Sequence, residues 1–517
     1  MKKFIYLSFA AFALASCKLD DNISQNDPAV EDVNPNLYLS AAQTSSYSVE
    51  VGDVFELSNV WMNNWAGNIY FFASPYSAEY QLQVTSALTR GNNFWNNNYI
   101  AMGRFAAIYQ SPLANQYPHH AAIAKIMMAN SMQYIVDFYG DAPFSEAFKR
   151  ENNLTPKYDK GEDIYRNLVI LINEAVATIN SNPNPAFPVG TEDEIYAGNM
   201  QNWIKFANTI KLRILLRQSK VTDTTIRTFV NTQLQSLQTA QFITESDGDA
   251  KINPSYNNSN AAQQNPLFRN YQYLQFDGAT ENQGYRLIDI SSHFAGLLNG
   301  TNTKTTGTTD TRRGSMYRAV GGTLRGITQG EGQQPGAAEA SFSRLGWKFR
   351  EINSTQTAFV DNSDESGTVL SVAESEFLQA EAAELYPAIF TNALSHYNLG
   401  IQASFRFFGL TAAQATTYTT SLSTKPYGWN GSDGHIAAIQ YQRMVALHFI
   451  KPQETYINYL KTGFPITPLA LTATQPNKPW RLVYPSREYN TNTANTPNVT
   501  QADVFVKNQF TPFWNRN

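Results

Sequence analysis

The sequence predicts a mainly α protein in which four antiparallel helix pairs pack against a loop-rich lobe with short strands. Three observations carry that expectation. Apolar residues recur at helical spacing in eight segments, which fall into four neighbouring pairs. The long stretch 220–370, between the second and third pairs, is rich in Gly, Asn, Thr and Gln and holds no sustained period. A chain of 517 residues, 42% hydrophobic and 15% charged, buries a large core and exceeds what one core usually serves. Two subdomains follow.

Lys2 and Lys3 open the chain, followed by a mostly apolar run from Phe4 to Ser16 that ends in small residues. This is an export signal over 1–16, and at roughly 20 Å of helix it is too short for a hydrocarbon core of about 30 Å. Cys17, the only cysteine, follows at once in the context Leu14-Ala15-Ser16-Cys17, which resembles the lipobox of bacterial lipoproteins. The resemblance implies that Cys17 is lipidated and becomes the first mature residue, its acyl chains supplying a stable anchor. Lys18-Leu19-Asp20-Asp21 resembles the acidic signal that sends lipoproteins to the outer face of an outer membrane. Residues 17–40, polar beyond the cysteine, read as a flexible tether, and 41–517 as the body.

Loss of Met1 to Ser16 removes two of the 38 basic residues against 42 acidic ones, so the mature chain is acidic and attracts no nucleic acid. Aromatic residues make up 13%, with 28 Tyr, 31 Phe and 8 Trp. Together with abundant amides and hydroxyls they suit a neutral polyhydroxylated ligand, whose C–H faces stack on rings. Most rings nonetheless belong in a core, since each buries a large area.

The helical segments run in order. Phe94, Trp95, Tyr99 and Met102 mark about 92–112, paired with 119–139, where Ile123, Ile126, Met127, Tyr134 and Ile135 recur. Ile164, Leu168, Ile172, Ala175 and Ile179 form a single-faced stripe over 161–180, paired with Trp203, Phe206, Ile210 and Ile214 over 200–219. Segments 373–386 and 390–409 make the third pair, and 434–451 with 453–461, broken at Pro452, the fourth. Pairs of this length resemble tetratricopeptide units, which need neighbours to cover their apolar faces. The remaining stretches, 41–91, 220–370 and 466–517, form the lobe.

Four ordered motifs carry a family likeness. Asp137-Phe138-Tyr139-Gly140-Asp141-Ala142-Pro143-Phe144-Ser145-Glu146-Ala147 resembles a signature of the SusD/RagB family of surface lipoproteins that partner TonB-dependent transporters. Trp203 to Arg217, Glu376 to Ala382, and Lys461-Thr462-Gly463-Phe464-Pro465 are similar to three further family motifs, the last departing at Leu460, where a basic residue is frequent. The resemblance, closest to the starch-binding-associated subgroup, implies a right-handed scaffold of four helix pairs beside a ligand-binding lobe. It also implies a SusC-like TonB-dependent partner, placement at the cell exterior and delivery of an oligosaccharide or polysaccharide. A RagB-like peptide receptor is the alternative. The matched motifs are scaffold motifs, so no binding residue is carried over.

Candidate binding residues come from the lobe. Trp61, Trp65, Asn68 and Tyr70, with Asn63, Asn64, Phe71 and Tyr80, put rings beside amides without an apolar period, as either a stacking platform or core. Arg344 and Trp347, beside Arg350, form a second set, and Tyr273, Gln275 and Asp277 a third. Trp429 sits in a turn, facing either the core or the transporter, while Trp95 and Trp203 fall on core stripes. A glycosidase would need two carboxylates, but Glu381 and Glu384 belong to a scaffold helix as partners of buried arginine or as caps. Asp137 and Asp141 are expected to accept from backbone amides. Six histidines make no H-E-x-x-H, and His119-His120 opens a helix. Asp247-Gly248-Asp249 supplies only part of a calcium loop, and no nucleophile elbow or Walker loop occurs. No cofactor and no catalysis are expected.

Overall fold

The computed structural model describes residues 33–149, 153–334, 336, 341–352 and 358–516. Cys17, the export signal and most of the tether lie outside them. In chain order the longer elements are α1 (Pro35–Glu50), α2 (Asp53–Trp61), β1 (Trp65–Gly67), α3 (Thr89–Tyr109), α4 (Pro118–Tyr139), α5 (Gly161–Ser181), α6 (Met200–Arg217), α7 (Thr224–Gln235), β2 (Ala250–Ile252), β3 (Ile288–Ile290), α8 (Ser292–Asn299), β4 (Gly367–Leu370), α9 (Val372–Leu385), α10 (Ala393–Phe407), α11 (Ala412–Leu422), α12 (Ile436–Leu447) and α13 (Pro452–Thr462). The protein is mainly helical, and the four expected pairs are α3 with α4, α5 with α6, α9 with α10, and α12 with α13, each packed together.

Local chemistry fixes the helix ends. The Gly161 N–H donates to Asp141 at the start of α5, with Glu162 and Asp163 in the first turn, where the helix dipole favours acids. Asn199 caps α6 by accepting from the Gln201 and Asn202 amides, and Ser371 caps α9 by accepting from Glu374. Pro452 opens α13, where its missing N–H costs nothing. Gly140, at φ +79°, turns the chain out of α4.

Two expectations are corrected. The tether does not extend to residue 40, because α1 begins at Pro35 with Asn34 as its cap. Nor is 41–91 simply loop: α1 continues to Glu50, α2 follows, and both pack on the scaffold, α1 on α3 and α4, α2 on α3 and α13. The buried face of α1 mixes Leu39, Ala42 and Tyr47 with Gln43, Ser46 and Glu50, so it shows no purely apolar stripe.

The centre of the scaffold is ionic. Glu454 of α13 receives Arg217 at 2.9 Å, Arg443 at 3.0 Å and Arg213 at 3.5 Å. Arg213 also pairs with Glu374 at 3.0 Å, Arg443 with Glu381 at 3.5 Å, and Lys461 closes on Glu381. All of these side chains are essentially inaccessible to solvent. Glu381 is therefore the partner of a buried arginine, as expected, and Glu384 pairs with His435 at 3.0 Å. Asp137 is a correction. Instead of holding backbone amides it faces Arg217 at 3.3 Å and accepts from the Tyr165 hydroxyl. Burial pushes its carboxyl up to about 6. Asp141 does accept from an amide, that of Gly161.

Strands are few and short. β1 pairs antiparallel with β3, matching Trp65 to Ile290 and Gly67 to Ile288, and β2 pairs antiparallel with β4. Single bridges from Asp289 to Arg344 and from Tyr317 to Leu345 extend the first sheet into the lobe. That lobe is joined to the scaffold by polar contacts through the core. Trp65 Nε1 donates to His448 Nε2 at 3.3 Å, and the Tyr317 hydroxyl lies 2.6 Å from the same nitrogen. No described helix is long and apolar enough to cross a membrane.

Candidate ligand-binding face

The structure divides the sequence candidates into framework and surface. Trp61 and Trp65 are buried, Trp61 against Tyr456 and Trp65 between Phe55, Tyr271 and His448. Neither presents a ring to solvent, which corrects the stacking platform read from the Trp-rich run. Asn68 is also fully buried. Its amide donates to the Arg286 carbonyl at 2.9 Å, and its side-chain oxygen accepts from the Tyr70 N–H at 3.0 Å. It shapes the turn that sets Tyr70 and Phe71.

Trp347 is half-buried and stacks nearly parallel on Phe449, with Phe407 at 5.1 Å and Phe349 at 5.5 Å. It packs the lobe against the scaffold and keeps part of its surface accessible. Arg344, buried, pairs with Glu281 at 3.1 Å and lies 4.4 Å from the Tyr285 ring centre. Asp277 sits on an exposed turn, accepting from the Thr280 hydroxyl and from the Ala279 and Thr280 amides, bonds that hold its carboxyl below the usual range. It closes the turn that carries Phe276.

What remains at the surface is a set of rings interleaved with guanidiniums. Tyr273, half-buried, lies 4.4 Å from Phe359, and Arg350 covers the Tyr273 ring at 4.1 Å. Arg286 lies 3.8 Å over Phe71, and Tyr70 packs on Phe342 at 5.2 Å. Phe71, Phe276 and Phe359 are 41%, 45% and 37% exposed, high for such large apolar groups. Four of these rings, Phe276, Phe342, Phe359 and Phe71, went unmarked or were only part of a cluster in the sequence, because single aromatics in loops carry no period.

The other candidates are framework. Trp95 and Trp203 are core, and Trp429 is buried against His435 and Tyr397. Asp247 is held by Lys205 and Thr244, and Asp249 accepts from the Val372 amide at 2.9 Å. Among the described residues no group of three His, Cys, Asp or Glu is placed to hold a metal. The scaffold carries a cleft of about 710 Å³ between α1, α2 and α3, and another of about 550 Å³ lined by Trp95, Tyr99, Phe148 and Arg487.

Known proteins match this architecture along almost its whole length. A SusD-like protein from Bacteroidetes superposes with a TM-score of 0.70 at 21% identity, covering 93% of this chain and 100% of its own. A SusD homologue from Bacteroides thetaiotaomicron gives 0.69 at 18%, covering 94% and 100%. A chitin-binding SusD homologue from Flavobacterium johnsoniae gives 0.67 at 19%, covering 92% and 98%. No curated protein matches by sequence. The profile of the SusD-like family described as "starch-binding associating with outer membrane" matches residues 28–487, and the chain belongs to that family.

Proposed function

We propose that the protein is a non-catalytic, lipid-anchored receptor on the cell exterior that captures oligosaccharide and passes it to a SusC-like TonB-dependent transporter. The observation that carries the glycan assignment is the set of exposed rings, Phe71, Phe276 and Phe359 with Tyr273, several of them beside guanidinium donors. Sugar C–H faces stack on rings, while guanidinium and amide N–H groups satisfy hydroxyls. A receptor that must hand its ligand on needs fast release, which calls for moderate affinity.

Calorimetry of the mature protein against a broad polysaccharide panel tests this. Tyr273→Ala and Phe359→Ala are each expected to weaken binding by about 1–2 kcal/mol, roughly five- to thirtyfold. Unchanged melting temperatures would show that the fold is intact. Binding to no member of the panel would remove the glycan assignment, and capture of a peptide library instead would favour the RagB-like alternative. Release of reducing ends from a bound glycan would overturn the non-catalytic assignment.

The anchor is tested separately. Cys17→Ala is expected to leave ligand affinity of the purified protein unchanged while abolishing surface capture in cells. Uptake unaffected by that change would show the anchor to be incidental.

A further inference from the structure

We propose that the ligand face selects glycans bearing anionic substituents, carboxylate or sulfate ester, and that Arg286, Arg318 and Arg325 read them. The inference rests on the glycan-receptor function proposed above and adds the class of ligand. The chain as a whole is acidic, with a formal charge of −4, yet residues 269–350 hold ten Lys and Arg against six Asp and Glu. Several of those charges are compensated internally. Arg312 pairs with Asp310 at 2.6 Å, Arg344 with Glu281 at 3.1 Å, and Lys348 with Glu365. Asp277 and Glu331 are hydrogen-bonded to neutral groups and keep their charge, and Asp289 is buried.

Arg286, Arg318 and Arg325 have no such partner: no carboxylate among the described residues lies within ion-pair distance of them. Arg318 and Arg325 are exposed, and Arg286 is half-buried on Phe71 with its Nε–H making no hydrogen bond. The backbone gathers them. Arg318 N–H donates to the Arg344 carbonyl at 3.0 Å, and Ser343 N–H donates to the Arg325 carbonyl at 2.8 Å, so both flank the extended segment 343–345, a strand-like stretch next to Phe342. Arg344 in turn donates to the Tyr285 carbonyl at 3.1 Å, tying that segment to the residue before Arg286.

A guanidinium presents a rigid fork that matches a carboxylate or sulfate, and charge-assisted bonds of this kind are about twice as strong as neutral ones. Three forks without an ion-pair partner among the described residues, set beside stacking rings, therefore favour an acidic sugar over a neutral one of the same shape. Their exposure makes the preference salt-dependent.

Titration calorimetry with a galacturonate oligomer, a sulfated oligosaccharide and a neutral oligosaccharide of equal length decides the matter. The expected result is about tenfold tighter binding of an anionic ligand at low salt, equivalent to about 1.4 kcal/mol, shrinking toward 0.5 M NaCl. The two anionic arms tell carboxylate from sulfate. Arg318→Gln and Arg325→Gln, both at exposed positions, should each lower anionic affinity about three- to tenfold and leave neutral affinity unchanged. Arg166→Gln, on the remote helix α5, should change neither. Equal or better binding of the neutral ligand overturns this inference and leaves glycan capture standing. No binding of any arm overturns this inference, glycan capture falling only if the broad panel also fails, and anionic binding indifferent to both variants overturns the assignment of these arginines.

Discussion

Replacing Glu454 with Gln is expected to destabilise the protein by about 3–5 kcal/mol, enough to prevent folding if the whole margin is small. Burial alone would push the Glu454 carboxyl up, but Arg217, Arg213 and Arg443 outweigh that and hold it well below the usual carboxylate range. Gln keeps the shape and removes the charge, leaving three buried guanidiniums with too few anions. Denaturant unfolding measures the loss, and Glu454→Gln combined with Arg217→Met should recover part of it if the pair is coupled. A loss under about 1 kcal/mol would show that Glu374, Glu381 and Asp137 suffice. The same network has a pH signature of two signs. Glu454, depressed, contributes stability above about pH 4.5 that is lost on acidification, whereas Asp137, raised to about 6, contributes stability at low pH that is lost as pH rises through 6.

Stability is further expected to fall by about 1.4 kcal/mol per pH unit between pH 6.5 and pH 3 on account of His448 alone, roughly 4–5 kcal/mol in total. Burial lowers this imidazole to about 3. The contacts suit a neutral ring: Nε2 can accept from the Tyr317 hydroxyl at 2.6 Å, while the single Trp65 N–H lies 3.1 Å from the Tyr317 oxygen and 3.3 Å from Nε2. The unfolded chain takes up a proton near pH 6.5 and the folded chain does not, so the unfolded state gains as pH falls. The stability is fully present above pH 6.5 and gone near pH 3. Thermal unfolding across this range, compared with His448→Gln, reads the effect as a flatter profile in the variant. Identical profiles would show that the histidine is not held neutral.

Helix α5 was legible because its burial is one-sided. The stripe Ile164, Leu168, Ile172, Ala175 and Ile179 is buried as its spacing implies. α1 was not legible, since Gln43, Ser46 and Glu50 on its inner face are satisfied by Asp193, Ser131 and Asn130, partners distant in sequence. The proposed ligand face was legible only in part. Tyr273 and Tyr70 lie on it, but Trp65 and Trp347, chosen because tryptophan suits sugars, are packing residues. Nothing local separates a ring that meets another ring from one that meets solvent. Arg286 and Arg325 carried no signal either, because what marks them is the absence of a carboxylate neighbour in space.

The placement of charge has a consequence for how proteins built on this scaffold diversify. The ionic centre ties α4, α6, α9, α12 and α13 into one body through side chains that touch no ligand, while Tyr273, Phe276, Arg325 and Phe359 hang from short loops joined to that body through Trp65, Tyr317 and His448. Loop residues can therefore be exchanged with little effect on folding. If the proposed function holds, changes of specificity are expected at a few exposed positions, and engineering should be directed there.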